Sequence, residues 1–351
     1  MLNKPQKSSM EKEIYEQVGI LSNLFYTHVS DGDKIKFEIP YDINKIVFVA
    51  SGSSYHCARY GADLFGNVAG MEARAIYSSE FLLKAAVPHS TDILYVFITQ
   101  SGETSDTNEA LKRAKELGMR TLAITNKKGS TIWNAADYKI DCCAGEEKSI
   151  AATKSLTTQM LCVTLLVMKY ANFKNIDISD WFRQVKCIPQ AVEQALGLHS
   201  DIKKVAKKLS KYKLIVVTAD GISYAIAKEI SLKIKETSYI CTISSILGEF
   251  MHGHVAVFNN KSAHIHISVD DLHEIAVRNL NKIQEDYDVP LCYLGNLQEP
   301  VKTDFILDSM AEGSIAKSFA TVVIGQLLAL EIAKALNRNV DKPHGLIKVV
   351  K

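Results

Sequence analysis

KIVFVASGSSYH (Lys45–His56) is the stretch on which the fold turns. Lys45–Ala50 is a short, β-branched, almost wholly apolar run, and Ser51-Gly52-Ser53-Ser54 is a turn of small residues. From Tyr55 to Ala69 the apolar residues fall at helical spacing. A run that is apolar throughout, without alternation, marks a strand covered by helices on both faces. Strand, small-residue turn and helix in that order open a βαβ unit.

Outward from this stretch the pattern repeats. ILYVFIT (Ile93–Thr99) ends in Gln100-Ser101-Gly102-Glu103-Thr104 and leads into a helix over Asp106–Leu117. TLAIT (Thr121–Thr125) and YKIDCCA (Tyr138–Ala144) read as the next strands, and Thr153–Tyr170 as a helix. A second cycle begins at KLIVVTA (Lys213–Ala219), with Asp220-Gly221-Ile222-Ser223-Tyr224 opening a helix toward Tyr239. SAHIHISV (Ser262–Val269), PLCYLG (Pro290–Gly295) and DFIL (Asp304–Leu307) read as further strands, and Ala316–Leu336 as a long helix. Gly52-Ser53-Ser54-Tyr55 has its counterpart in Gly221-Ile222-Ser223-Tyr224. The expected fold is therefore α/β, with two tandem flavodoxin-like doubly wound parallel-sheet domains arising by internal duplication.

The expected domain plan is a helical lead-in over residues 1–35, with one amphipathic helix at Glu11–His28. A first domain follows over 36–172, a helical connector over 173–200, and a second domain with a C-terminal tail over 201–351.

Composition narrows the function. The chain has 351 residues, 47% hydrophobic and 23% charged, with a net charge of +2. No apolar run reaches the roughly 18 residues of a membrane span, and the polar N-terminus lacks a signal-peptide core. Lysine pairs such as Lys203–Lys204 and Lys207–Lys208 read as a solvated helix face, so neither a membrane nor a nucleic-acid partner is expected. The seven cysteines form no C-x-x-C, which points to a reducing, cytoplasmic compartment and to no metal site.

In an open parallel sheet, ligands sit beyond the carboxyl ends of the strands. Two Ser/Thr/Gly-rich loops stand there, Ser51–Ser54 and Thr99–Thr104, each leading into a helix. A helix N-terminus favours an anion, and hydroxyls add donors without charge. The competing reading is ordinary helix capping by Ser and Thr. No G-x-G-x-x-G or Walker A pattern occurs, so no nucleotide cofactor, and no cofactor of any kind, is expected.

At these loops the sequence resembles the sugar isomerase (SIS) superfamily, and more closely the isomerase half of the glutamine–fructose-6-phosphate amidotransferases. The resemblance is carried, in order, by GSSYH (Gly52–His56), SSEF (Ser78–Phe81), TQSGETSDT (Thr99–Thr107), AATKSLTTQ (Ala151–Gln159) and GISY (Gly221–Tyr224). It continues through LKIKETSY (Leu232–Tyr239), GEFMHG (Gly248–Gly253) and VDKPHGLIK (Val340–Lys348). It implies a phosphate site from Ser53, Ser54, Gln100, Ser101 and Thr104, with Gly52, Thr153 and Glu249 near the sugar. It implies a catalytic set in which Glu236 moves a proton between C1 and C2, Lys233 lies one turn away, His252 opens the ring from the partner subunit of a homodimer, and Lys348 forms an imine.

These residue types suit that chemistry on their own terms. A carboxylate in a partly dry pocket can be tuned as a carbon base, His titrates near neutrality, and a lysine can attack a carbonyl. Taken without the resemblance, Lys233, Lys235 and Glu236 also read as a solvated helical charge cluster, His252 as a loop histidine or, with His254, a metal ligand, and Lys348 as a frayed tail residue.

The sequence departs from the amidotransferases at several points. A glutaminase segment ahead of the sugar domain is not expected, since the chain opens Met1-Leu2-Asn3 and the sugar domain begins by about residue 45. His344 and Gly345 replace an arginine and an asparagine, Ile243 replaces a glutamate, and Ala152 replaces a serine. The expected function is an isomerase/deaminase of an amino-sugar 6-phosphate or a fructosamine-type 6-phosphate, run toward amine release. Plain aldose–ketose isomerisation is the alternative within enzymes, and a non-catalytic sugar-phosphate sensor the alternative outside them.

Overall fold

The computed structural model describes residues 7–84, 87–88, 90–298 and 300–348. The first six residues of the lead-in and the last three of the tail lie outside the described residues. In chain order the elements begin with helices α1 (Ser9–Tyr15) and α2 (Gln17–His28) and a small antiparallel pair, β1 (Val29–Ser30) and β2 (Lys34–Ile35). There follow β3 (Lys45–Ala50), α3 (Gly52–Ala69), β4 (Glu72–Tyr77), α4 (Ser78–Leu83), β5 (Ile93–Thr99), α5 (Ser105–Glu116), β6 (Arg120–Thr125), α6 (Thr131–Ala135), β7 (Tyr138–Asp141) and α7 (Lys154–Phe173). Helices α8 (Ser179–Gly197) and α9 (His199–Leu209) lead into β8 (Leu214–Ala219), α10 (Ser223–Ser238), β9 (Cys241–Ile246) and α11 (Leu247–Phe250). The chain continues through β10 (Ser262–Ile267), α12 (Glu274–Asp286), β11 (Leu291–Leu294), β12 (Phe305–Leu307) and α13 (Ser314–Ala335).

Contacts divide the chain into two compact units. The first unit holds Gly19–Glu147, Lys154–Arg183 and the tail from Ile347; the second holds the start of the chain through Val18, Lys148–Thr153 and Gln184–Leu346. Each unit carries one five-stranded, all-parallel sheet, ordered β4-β3-β5-β6-β7 in the first and β12-β11-β10-β8-β9 in the second. Both are the doubly wound order in which the first strand of the sheet sits between the second and the third. The chain therefore leaves β3 and β5, and likewise β8 and β10, toward opposite sides, opening a crevice at their carboxyl ends. The central strands β5 and β10 are buried over their whole length, as the unbroken apolar run of β5 predicts. Histidines within β10 obey the same rule: His264 and His266 share the Thr218 hydroxyl at 2.7 and 2.9 Å, and burial pushes both imidazoles down to about 3, so they stay neutral.

Four features differ from the sequence reading. The single helix over Glu11–His28 is two, because Ser8 caps α1, and the run ends at Glu16 where the buried α1 face turns its carboxylates to partners elsewhere in the second unit. Glu11 pairs with Lys334 at 2.8 Å, and the Asp341 carboxylate accepts the Ser9 and Met10 N–H groups at 2.8 and 3.0 Å. Strands β4 and β9 were not anticipated: both are edge strands, half exposed, and their sequences EARAIY and CTISSI lack an apolar run. The second helix of the expected helical connector, α9, runs past the expected boundary at 200 to Leu209. Finally, α13 is long and apolar enough to cross a bilayer, with a mean hydropathy of 1.6, where the sequence reading found no such stretch; 94% of that window is buried inside the fold. A helix apolar all round is a core helix when protein surrounds it.

Helix α13 packs tightly on α10. A Cβ at Gly325 would meet Ile230 Cγ1 at 2.2 Å, so the small residue sets how closely the two helices approach. That approach fixes the position of α10, the helix that carries Lys233 and Glu236.

Candidate active site

In the first unit the two hydroxyl-rich loops lie side by side at the crevice between β3 and β5. Ser51 and Thr104 stand at the N-cap positions of α3 and α5, and neither side chain caps its helix. Instead the Ser51 hydroxyl donates to Asp106 Oδ2 at 2.9 Å, and Thr104 Oγ1 meets Thr99 Oγ1 at 2.9 Å. The capping alternative thus fails at both loops, and each helix begins without a side-chain cap, the arrangement that receives an anion.

Ser54 donates to Gln159 Oε1 at 3.1 Å, and Ser101 Oγ accepts the Glu103 N–H at 3.1 Å. The Gln100 carbonyl accepts the Asn126 N–H at 3.2 Å, while Ser53 lies in the first turn of α3, half-buried. Gly52, at φ +59°, starts α3 and is exposed. Gly102 is required where it stands: its φ is +68°, and a Cβ there would lie 2.0 Å from Ser130 Oγ. Asp106, which the sequence reading passed over, ties one loop to the other, and its Oδ1 is buried with no hydrogen-bond partner among the described residues.

The tail lysine is not frayed. Lys348 Nζ lies 2.6 Å from Glu147 Oε2, and the Glu147 side chain is fully buried. The Ser155 N–H and hydroxyl donate to the same carboxylate at 3.1 and 2.7 Å. Glu147 was not singled out from the sequence. Its one signal was position, directly before the matched Ala151–Gln159 segment.

In the second unit Lys233 is buried, 1% exposed, on α10. Its Nζ lies 2.5 Å from Glu236 Oε2 and 3.5 Å from Glu229 Oε1. The Glu229 side chain is 2% exposed and that of Glu236 22%. Positions 229, 233 and 236 recur at helical spacing, so one buried ammonium faces two carboxylates on one helix face. The reading of Lys233 as part of a solvated charge cluster therefore fails, whereas Lys235 is exposed. Glu229 was legible only as an i−4 partner of a lysine assumed to be in solvent. Helix α10 ends at Tyr239, a bulky residue at φ +64° whose hydroxyl accepts the His344 N–H at 2.6 Å. A large side chain in that region is a constrained position; here it pins the base of the tail.

His252 stands exposed in the turn after α11, its N–H donating to the Glu249 carbonyl at 3.0 Å. Glu249 is also exposed. Neither side chain is brought to Glu236 within the second unit. Thr153 is fully buried, and its carbonyl accepts from Gln326 Nε2 at 3.2 Å.

The duplicated crevice of the second unit has a different chemistry. A cavity of about 330 Å³ opens beyond β8 and β10, lined by Asp220, Ser223, His266, Ser268, Asp270 and Asp271. Asp220 occupies the loop position that Ser51 holds in the first unit. Burial pushes both the Asp220 and Asp270 carboxyls up from their ordinary values. An ionised acidic lining disfavours a phosphate in this crevice.

The SIS domain family model matches residues 41–169 and 208–296. Among curated proteins the chain is similar to an isomerizing glutamine–fructose-6-phosphate aminotransferase of Campylobacter jejuni, 33% identical over 349 residues, spanning 97% of this chain and 58% of that protein. The counterpart from Aquifex aeolicus is 31% identical over 347 residues, spanning 98% and 58%. The chain thus spans somewhat over half the length of these relatives. Among solved structures, the C-terminal domain of the glucosamine-fructose-6-phosphate aminotransferase from Francisella tularensis superposes with a TM-score of 0.91 at 26% identity, covering 96% of this chain and 99% of that one. A glucosamine-6-phosphate deaminase of Thermotoga maritima shares the fold, with a TM-score of 0.78 at 21% identity over 98% and 99% of the two chains. With both of its doubly wound halves matched, this chain belongs to the SIS domain family.

Proposed function

We propose that this chain is a phosphosugar isomerase/deaminase acting on an amino-sugar 6-phosphate or a fructosamine-type 6-phosphate by proton transfer between C1 and C2 and release of the amine. The observation that carries the reading is the α10 triad. A lysine buried between two carboxylates holds Glu236 in one rotamer and leaves it 22% exposed, a carboxylate positioned to meet a ligand without being fully solvated.

The phosphate is received by the uncapped starts of α3 and α5 and the hydroxyls of Ser53, Ser54, Ser101 and Thr104, with Gln100 beside them. Glu236 lifts the proton from C2 of the open-chain amino-aldose and returns it to C1, so the nitrogen on C2 becomes an imine. Water adds to that carbon, and the amine leaves with the proton it has taken up, giving the ketose phosphate. Lys348 is the group that meets a carbonyl carbon. Glu147, 2.6 Å away, holds the resting side chain as an ammonium, and attack on a carbonyl requires that Lys348 leave this ion pair and give up a proton. His252 opens the ring. Its exposure supports a role toward a second copy of the chain in a homodimer. The free state of all seven cysteines supports a cytoplasmic setting.

The test is a panel of hexose 6-phosphates, amino-sugar 6-phosphates and sugar–amino-acid adduct 6-phosphates, with ketose and ammonia or amine release measured for the wild type and for Glu236→Gln. Amine release by the wild type, absent in Glu236→Gln while sugar-phosphate binding persists, is the expected result. Wild-type turnover by Glu236→Gln overturns the assignment of the base. Isomerisation without amine release from any substrate replaces the deaminase reading by plain aldose–ketose isomerisation, and binding without turnover replaces it by a sensor.

A further inference from the structure

Away from the candidate active site, the second unit carries a groove of about 1050 Å³ between α9, the end of α13 and the start of α1. Six cations line it, Lys7, Lys203, Lys207, Lys211, Lys334 and Arg338, against two carboxylates, Glu11 and Glu331. Both carboxylates are already engaged. Lys334 binds Glu11 and Glu331 at 2.8 Å each, and His199 Nε2 lies 3.0 Å from Glu331. Burial alone would raise the Glu331 carboxyl, but the hydrogen bonds from His199 and Lys334 outweigh it and hold the group down to about 2.

The remaining cations have no carboxylate within ion-pair distance among the described residues. Lys203 and Lys207 stand one turn apart on the exposed face of α9, where like charges repel. Lys211 follows one further turn along, and Lys7 lies over the Tyr15 ring at 4.1 Å. Arg338 lies 5.1 Å over the Tyr239 ring, the residue that pins the tail through His344. A solvated lysine face needs no facing wall. Here α9 and the end of α13 aim theirs into a common concavity, where an anion is held by several cations at once and partly out of water.

We propose that this groove binds a small anion bearing two or more linked phosphates, a diphosphate or triphosphate ester, and that its occupancy reaches the catalytic tail through Arg338 and Tyr239. One phosphate would leave most of the cations unmatched, whereas linked phosphates span from the α9 lysines to Arg338. A groove of this volume, lined by α9, α1 and the root of the tail on a chain of net charge only +2, favours a compact ligand over a polynucleotide.

The experiment is calorimetric titration of the full chain with inorganic pyrophosphate, orthophosphate and a single-stranded oligonucleotide. Pyrophosphate is expected to bind more tightly than orthophosphate. The exposed-face variant Lys203→Glu/Lys207→Glu should weaken it by roughly tenfold or more, since a charge-assisted hydrogen bond is worth that factor. Lys112→Glu/Lys139→Glu makes the same charge change at exposed positions that do not line the groove and should leave affinity within about twofold, because exposed charges away from it are screened. Ser101→Ala/Thr104→Ala should leave pyrophosphate binding intact, which separates this groove from the sugar-phosphate loops. Equal weakening by both lysine pairs, loss in the Ser101/Thr104 variant, or tighter binding of the oligonucleotide overturns the proposal. Hydrogen exchange at the His344 amide should change on adding pyrophosphate in the wild type and not in Arg338→Gln; no change in the wild type overturns the link to the tail.

Discussion

Lys233→Met tests the α10 triad directly. Methionine keeps the unbranched apolar stem of lysine and ends where the ammonium began, so it removes the charge with little loss of packing. Lys233 Nζ lies 2.5 Å from Glu236 and 3.5 Å from Glu229, with the Lys233 and Glu229 side chains 1% and 2% exposed. The two carboxylates differ in what they lose. Glu236, at 22% exposure, can turn toward water, so its loss is small. Glu229 stays buried with its cation gone, and breaking a buried pair in that way destabilises by about 3–5 kcal/mol. The expected loss is at the lower end, about 3 kcal/mol, because Glu229 can protonate instead of remaining charged.

That escape fixes the sign of the pH dependence. In the variant the desolvated Glu229 carboxyl is raised above its unfolded value of about 4.3. The folded state then binds more protons than the unfolded one at intermediate pH, so the deficit is full at neutral pH and shrinks as pH falls toward that value. Urea unfolding of wild type and variant at neutral pH and at about pH 5 reads both quantities. Lys233→Met/Glu229→Gln should recover most of the loss, since it replaces the stranded carboxylate by a neutral amide. A deficit below about 1 kcal/mol at neutral pH, or one that does not move with pH, refutes a buried charge triad at this position.

Glu331→Gln should flatten the acid limb of stability. The Glu331 carboxyl is held down to about 2 from an ordinary 4.5, so its contribution is present above the unfolded value and lost as pH falls toward 2. At about 1.4 kcal/mol per unit this is about 3–4 kcal/mol, read by urea titrations across that range. Gly325→Ala should destabilise by about 1–3 kcal/mol through overpacking, because its Cβ would sit 2.2 Å from Ile230 Cγ1, and Ile230→Ala in the same chain should recover part of it. Gly102→Ala should cost about 2–4 kcal/mol in urea unfolding, from the clash and the left-handed backbone together. Ser130→Gly should relieve only the clash, leaving the strain at φ +68°. Stability unchanged in Gly102→Ala would remove the argument that this loop is held in one conformation.

The parallel sheets were legible because their central strands are buried on both faces, and burial writes itself into sequence as apolar runs such as Lys45–Ala50 and Ile93–Thr99. The hydroxyl loops were legible because strand ends in a doubly wound sheet are where small polar residues gather. The edge strands were not. Glu72–Tyr77 and Cys241–Ile246 are half exposed, and a strand with one solvated side carries no such run. Nor was the break at Glu16, since helical periodicity continues across it while the contacts that divide α1 from α2 lie hundreds of residues away.

The sequence by itself determined the α/β class, the duplication, the order of the motifs and the hydroxyl loops with Ser101 and Thr104, because each of these is a matter of residue type and local spacing, while Glu236 and Lys348 became candidates through the resemblance those motifs carry. Only tertiary structure decided what those side chains do. It showed that Ser51 and Thr104 leave their helices uncapped, that Lys233 is buried between Glu229 and Glu236, and that Lys348 is bound by Glu147. A lysine three residues from a glutamate reads the same on a wet helix face and in a core. The difference is desolvation, which depends on what packs over the helix, and in this chain that is α13, roughly a hundred residues further on.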